Sequence, residues 1–115
     1  MTINAKNVDY KDLNDALREA EGNIDLENTL GQRFIAVGMS RKNIKISGIP
    51  GNALGAYLNG AVIEVMGNAQ DAVGDTMNNG EIIIHGNVGD AVGYAMRGGK
   101  IFVKGNACII FDFER

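Results

Sequence analysis

The nineteen residues from Gly67 to His85, GNAQDAVGDTMNNGEIIIH, are followed by GNVGDAVGYAMRGGKIFVK and then by a third beginning, GNA. Repetition at this length marks one structural unit laid down several times, and it restricts the folds open to the chain. Apolar pairs recur at Ile24/Leu26, Ile44/Ile46, Ile63/Val65, Ile82/Ile84 and Ile101/Val103. Their first members step by 20, 19, 19 and 19 residues, the range of one repeat in a stacked array. Each pair brackets one residue of the opposite face: Asp25, Lys45, Glu64, Ile83 and Phe102. That alternation predicts short strands with one face inward. A βαβ crossover needs about 30 residues, so this period is too short for a doubly wound sheet. It suits one rung of a parallel β-helix, where equivalent strands stack about 4.8 Å apart and bury an aliphatic ladder.

Glycines punctuate the unit. One set follows the strands, at Gly48, Gly67, Gly86 and Gly105. Gly-Asn steps recur at Gly51-Asn52, Gly67-Asn68, Gly86-Asn87 and Gly105-Asn106, and both residue types tolerate positive φ. A second element reads LGAYL, VGDTM and VGYAM around Gly55, Gly74 and Gly93, with Leu58, Met77 and Met96 in one place. A third corner holds Gly60, Gly80 and the pair Gly98-Gly99. These glycines are read as structural corners, and no rung has room for a useful helix.

Before the repeats, VDYKDLNDALREAEGN spaces Leu13, Ala16, Leu17 and Ala20 as an amphipathic helix. Asp9 is its expected N-cap and Gly22 or Asn23 its stop. The expectation is one β-helix domain over residues 1–115: a capping helix over about 9–21, coils over about 23–107 and an atypical tail over 108–115. Eleven basic against fourteen acidic residues give a net charge of −3 with no basic stripe. The counterion release that drives nucleic-acid binding is therefore not expected. No apolar run approaches the roughly 20 residues of a membrane span, and MTINAKNVDYKD has no signal-peptide apolar segment. A single Cys108 excludes an internal disulfide framework. A cytoplasmic protein is expected.

The segments NTLGQRFIAVG (Asn28 to Gly38), PGNALGAYLNG (Pro50 to Gly60), GNAQDAVGDTMNNGEIIIHG (Gly67 to Gly86) and GDAVGYAMRGGKIFVKGN (Gly89 to Asn106) resemble the GXGXG domain. That domain lies at the C-terminus of the glutamate synthase large subunit. It is also a separate small subunit in split, archaeal-type glutamate synthases, and it occurs in one of the subunits of formylmethanofuran dehydrogenase. The resemblance covers roughly residues 3 to 107. It implies a right-handed parallel β-helix that carries no catalytic residue. It further implies a scaffold that holds a glutaminase part against an FMN- and iron–sulfur-containing synthase part, each a partner subunit here. No cofactor is expected on this chain, and an oxidoreductase complex with a role in nitrogen assimilation would contain it. The resemblance stops at CIIFDFER, where Asp112 stands at the place of the next repeat's glycine.

Sites of chemistry are sparse. Gly86, Gly89 and Gly93 in IIIHGNVGDAVG have the wrong spacing for a dinucleotide loop, and no helix follows. His85 shares its column with Met66 and Lys104 on an outer face, and is read as a surface residue. Cys108 lacks a neighbouring base. Ser40 and Ser47 lie outside any nucleophile elbow. Asp71, Asp75 and Asp90 are read as solvated corner residues without the G-G-x-G-x-D calcium pattern. Asn52, Asn68, Asn87 and Asn106 are read as an amide ladder between rungs. Met39, Met66, Met77 and Met96 are read as core filler, and Arg33 and Arg97 as loop braces.

In the tail, Ile109, Phe111 and Phe113 alternate with Ile110, Asp112 and Glu114, as in a strand with one apolar side. Two readings stay open: folding over the last rung, or strand addition to a second copy or partner subunit. The functional expectation is a non-catalytic assembly subunit of a glutamate synthase-like complex. The alternatives are a subunit of a formylmethanofuran dehydrogenase-like complex, a self-assembling β-helix joined through its open end, and a stand-alone enzyme.

Overall fold

The computed structural model describes residues 1–105 and 109–113. In chain order the elements are β1 (Thr2–Asn4), α1 (Tyr10–Glu19), β2 (Asn23–Leu30), β3 (Asn43–Ile49), β4 (Asn59–Val65), β5 (Asn79–Ile84), β6 (Gly99–Val103) and β7 (Ile109–Phe113). They form one seven-stranded sheet whose spatial order is the chain order. Strands β1 to β6 run parallel, whereas β7 is antiparallel to β6. Between β2 and β6 each return path is built of turns, giving a β-solenoid of about five turns with repeats of ~19 residues.

Register follows the aliphatic pairs. Ile24 faces Ile44, Ile44 faces Ile63, Ile63 faces Ile82, and Ile82 faces Ile101. All ten ladder residues are buried, none more than 3% exposed. Full burial of each such side chain contributes about 1.5–3 kcal/mol, so the ladder outweighs any surface pair. Irregularities between Leu26 and Thr29, and between Asn59 and Val62, absorb the residue by which a step of 20 exceeds one of 19. At the first of them Thr29 is buried, and its hydroxyl donates to the Ser47 carbonyl at 2.8 Å.

Opposite the sheet, alternate residues adopt left-handed backbone. In one rung Ala53, Gly55 and Tyr57 have φ of 61°, 67° and 58°, and in the next Ala72, Gly74 and Thr76 have 60°, 68° and 55°. Paired turns close within each rung, Ala56 N–H to Ala53 C=O and Leu58 N–H to Gly55 C=O, both 3.1 Å. The sign alternation sends successive amides to opposite ends of the stack. Ala53 and Tyr57 donate forward to Asp71 and Asp75 at 2.9 and 2.8 Å, while Gly55 donates backward to Ile35 at 2.9 Å. A non-glycine residue in this region costs about 1–2 kcal/mol, and here the inter-rung bonds hold it. The middle column takes glycine because a Cβ on Gly55 would come 2.7 Å from Ile82 Cδ1, and one on Gly74 would overlap Ile101 Cδ1.

The Asn and Asp corner differs from the sequence reading in two ways. Asn52 Oδ1 accepts from the Asp71 amide at 3.1 Å, and Asp71 Oδ1 from the Asp90 amide at 2.8 Å. Asn68 Oδ1 accepts from the Asn87 amide at 2.8 Å. Gly51-Asn52 therefore stands over Gln70-Asp71 and Gly89-Asp90, not over Gly67-Asn68. The ladder also runs from side chain to backbone rather than from amide to amide. Gly67, Gly86 and Gly105 lack positive φ. The close approach of the next rung excludes a side chain at Gly86, where a Cβ would overlap Asn68 Oδ1 and reach the Gly67 carbonyl oxygen at 2.7 Å. At Gly105 it would overlap Asn87 Oδ1 in the same way.

The two ends of the stack are finished differently. Helix α1 is shorter than anticipated, with Asp9 as N-cap accepting from the Asp12 amide at 2.9 Å. Its far end is met by Lys42, whose Nζ donates to the carbonyls of Arg18 and Ala20. The helix buries Leu13 and Leu17, and between them Asn14. Asn14 Oδ1 accepts from the Ala36 amide at 2.8 Å, and its Nδ2 donates to the Phe34 carbonyl at 2.9 Å. Ala36 stands in the Gly55 column, whose amides point to the preceding rung. Among the described residues no turn precedes this one, and Asn14 provides the acceptor in its place. Strand β1, which the nineteen-residue period did not indicate, pairs with β2 beyond it.

At the other end β7 turns back over β6, with Phe111 opposite Ile101 and half-buried against the core. In the same register Ile109 faces Val103 and Phe113 faces Gly99. Asn106 and Cys108 lie outside the described residues. Among the methionines, Met39 and Met77 are buried and Met96 half-buried, but Met66 is 43% exposed and is not core filler.

Candidate functional site

The interior is an aliphatic ladder, and the buried polar side chains among the described residues, Asn14 and Thr29, are bonded to backbone, so the remaining polar groups lie outside. Among the described residues no three His, Cys, Asp or Glu side chains come close enough to hold a metal ion. The surface depressions are shallow. One is lined by the glycine corners Gly60, Gly80, Gly98 and Gly99 with Glu81, Lys100 and Asp112. Another lies between the loop before α1 and the first rung, where Arg33 rests over the rings of Tyr10 and Phe34 at 4.8 and 5.7 Å. Arg33 thus braces a loop by stacking, as the sequence suggested for it.

Strand alternation places Lys45, Glu64, Ile83 and Phe102 in one outer column, and Met66, His85 and Lys104 beside it. His85 Nε2 lies 2.6 Å from Glu64 Oε2, diagonally across two rungs, with their side chains 30% and 37% exposed. An Nε2–H donates to the carboxylate. That hydrogen bond, then the charges of His85, Lys45 and Lys104, hold Glu64 below the usual carboxylate range, while partial burial works against them. His85 is therefore a surface residue, as anticipated, but one with a carboxylate partner that the sequence reading missed. The signal was present: a residue two past the cross-rung neighbour of Glu64 lies within reach of a long side chain.

The remaining candidates are spread around the rungs. Asp71 and Asp90 belong to the corner ladder, and Asp75 accepts from Thr76 Oγ1 at 2.8 Å. Lys100 lies 3.8 Å from Asp112 on β7. The glycine columns, from Gly48 to Gly105, surround the core without converging on a point. The polar side chains are thus spread over the open outer faces of the rungs. No helix among the described residues is long and apolar enough to cross a membrane.

Comparison with known proteins agrees with this geometry. The family described as the GXGXG motif matches residues 11–111. A relative, the uncharacterized protein MJ1350 of Methanocaldococcus jannaschii, is 46% identical over 77 residues, covering 60% of this chain and 30% of its own length. The chain thus spans about a third of that relative. No solved structure matches. The stacked rungs, the glycine columns and the extent of the match together place this chain in the GXGXG motif family.

Proposed function

We propose that the protein is a non-catalytic scaffold in a cytoplasmic glutamate synthase-like complex. It would hold a glutaminase-type subunit against a synthase-type subunit that carries FMN and iron–sulfur clusters, with no cofactor on this chain. The observation that carries the reading is the GXGXG match over nearly the whole chain. The form of the molecule supports it: a stack of rungs around a continuous aliphatic interior offers long outer faces for attachment. Affinity capture of the tagged chain from its own cell extract, with mass spectrometry of what stays bound, tests the proposal. Recovery of glutaminase-like and flavin or iron–sulfur subunits is the expected result. Repeated recovery of neither class overturns it, and recovery of formylmethanofuran dehydrogenase subunits instead would move the scaffold to that complex.

A further inference from the structure

Among the described residues, the last turn at the C-terminal end of the stack lacks the closure that Asn14 gives the other end. In every earlier rung the amides of the Ala53 and Tyr57 columns donate forward: Phe34 and Gly38 to Asn52 and Ala56, Ala53 and Tyr57 to Asp71 and Asp75, Ala72 and Thr76 to Asp90 and Tyr94. In the last turn the equivalent amides belong to Ala91 and Ala95, and neither has a partner among the described residues. Carbonyls repeat the pattern. Leu54 and Val73 accept from Gly74 and Gly93, and Leu58 and Met77 accept from Asn78 and Arg97, but Val92 and Met96 accept from nothing among the described residues.

Along the chain the open groups read donor at Ala91, acceptor at Val92, donor at Ala95, acceptor at Met96. Read in reverse, that order is its own complement. A second copy brought up about a two-fold axis sets Ala91 N–H against Met96 C=O, and Val92 C=O against Ala95 N–H, twice over. Such a contact is isologous and closed. Head-to-tail growth is blocked, because α1 and Asn14 occupy the opposite end. Apolar groups lie where such a contact would finish burying them: Val88, Val92 and Met96 are only half-buried against the core, whereas Val73 and Met77 one rung earlier are fully buried. Strand β7 covers the sheet side of this end and leaves Ala91, Tyr94 and Ala95 exposed.

We infer that the last turn, Ala91 to Met96, is a self-association surface whose occupant is the same turn of a second copy. The inference is independent of the scaffold reading: purified chain alone tests it, so loss of one does not touch the other. Sedimentation of the full chain across a concentration series should show a monomer–dimer equilibrium. Amide hydrogen exchange should show Ala91 and Ala95 slowing as the dimer forms. The double variant A91D/A95D, placing like charges across the axis at positions whose positive φ an Asp tolerates, should dissociate at least tenfold more readily. Mixing it with A91K/A95K should restore dimer, and Lys11→Asp on α1 should leave dimerisation unchanged. A wild-type monomer at every concentration overturns the inference. So does a dimer in which the two amides exchange freely, a result that needs no variant to fold.

Discussion

The two ends of the solenoid solve one problem by different means. A cut through a stack of rungs leaves an open core and a row of unpaired backbone groups. At the N-terminal end a ten-residue helix covers the core, and one buried side chain, Asn14, bonds the exposed turn through both its oxygen and its nitrogen. At the C-terminal end an antiparallel strand covers the sheet side alone, and the turn side keeps donors and acceptors with no partner among the described residues. Sheet and turn columns are therefore separable edges, each needing its own closure.

The largest test compares a rung interior with the first rung. A Cβ at Gly80 would overlap the Ala61 carbonyl oxygen, whereas at Gly38 it would meet nothing within 4 Å. Gly80→Ala should cost more than about 4 kcal/mol and leave little folded protein, because backbone there must move. Gly38→Ala should cost only the about 1–2 kcal/mol of left-handed backbone. Urea unfolding of both decides it, and equal losses would mean that rung spacing adjusts freely.

Next in size is the helix closure itself. Asn14→Ala strands the Ala36 amide, and should cost about 3 kcal/mol at an unchanged denaturant slope. A loss below about 1 kcal/mol would show that water replaces Asn14, making the two ends alike.

A finer comparison uses one column. A Cβ at Gly74 would overlap Ile101 Cδ1, but at Gly93, with no further turn among the described residues, its nearest neighbours are Met96 Sδ at 3.5 Å and a Phe111 ring carbon at 3.6 Å. Gly74→Ala should cost about 2–3 kcal/mol and Gly93→Ala about 1 kcal/mol. Thermal melts of the two variants would reverse the conclusion if Gly93 proved the costlier site.

The smallest effect comes from the outer face. Glu64 is lowered in the folded protein, so its contribution is present above its unfolded value and is lost as pH falls through the folded one. Stability measured from pH 7 down to about pH 3 should decline slightly more steeply in wild type than in Glu64→Gln, by less than about 1 kcal/mol. Identical profiles would show that the His85 pair adds nothing.

Much of this molecule could be read from its residues. Wherever burial alone decides the pattern, as in the Ile24-to-Val103 ladder, each predicted cross-rung partner is the observed one. At Gly86 and Gly105 glycine is required by the nearness of the neighbouring rung and not by φ. Gly51-Asn52 was misaligned because similar dipeptides fill two different corners, and the hydrogen bond from Asp71 to Asn52 separates them. Three features lacked a periodic signal. Strand β1 is three residues long. Asn14 looks like any polar residue of an amphipathic helix until the missing rung is known. The pairing of His85 with Glu64 lies on a diagonal, which a reading column by column passes over although the register implies it. The face that the proposed scaffold would present was the least legible part, because a surface built to meet other proteins need not repeat.

Parallel register with a fixed period makes length a quantised property of this chain. Adding one residue to a strand carries its isoleucines to the wrong face, and adding one to a turn reverses which end of the stack each amide serves. Nineteen added together disturb neither, since they arrive with their own ladder pair, corner and double turn. Evolution of such a molecule can proceed by whole rungs, and its height above the capping helix is the dimension left free to vary.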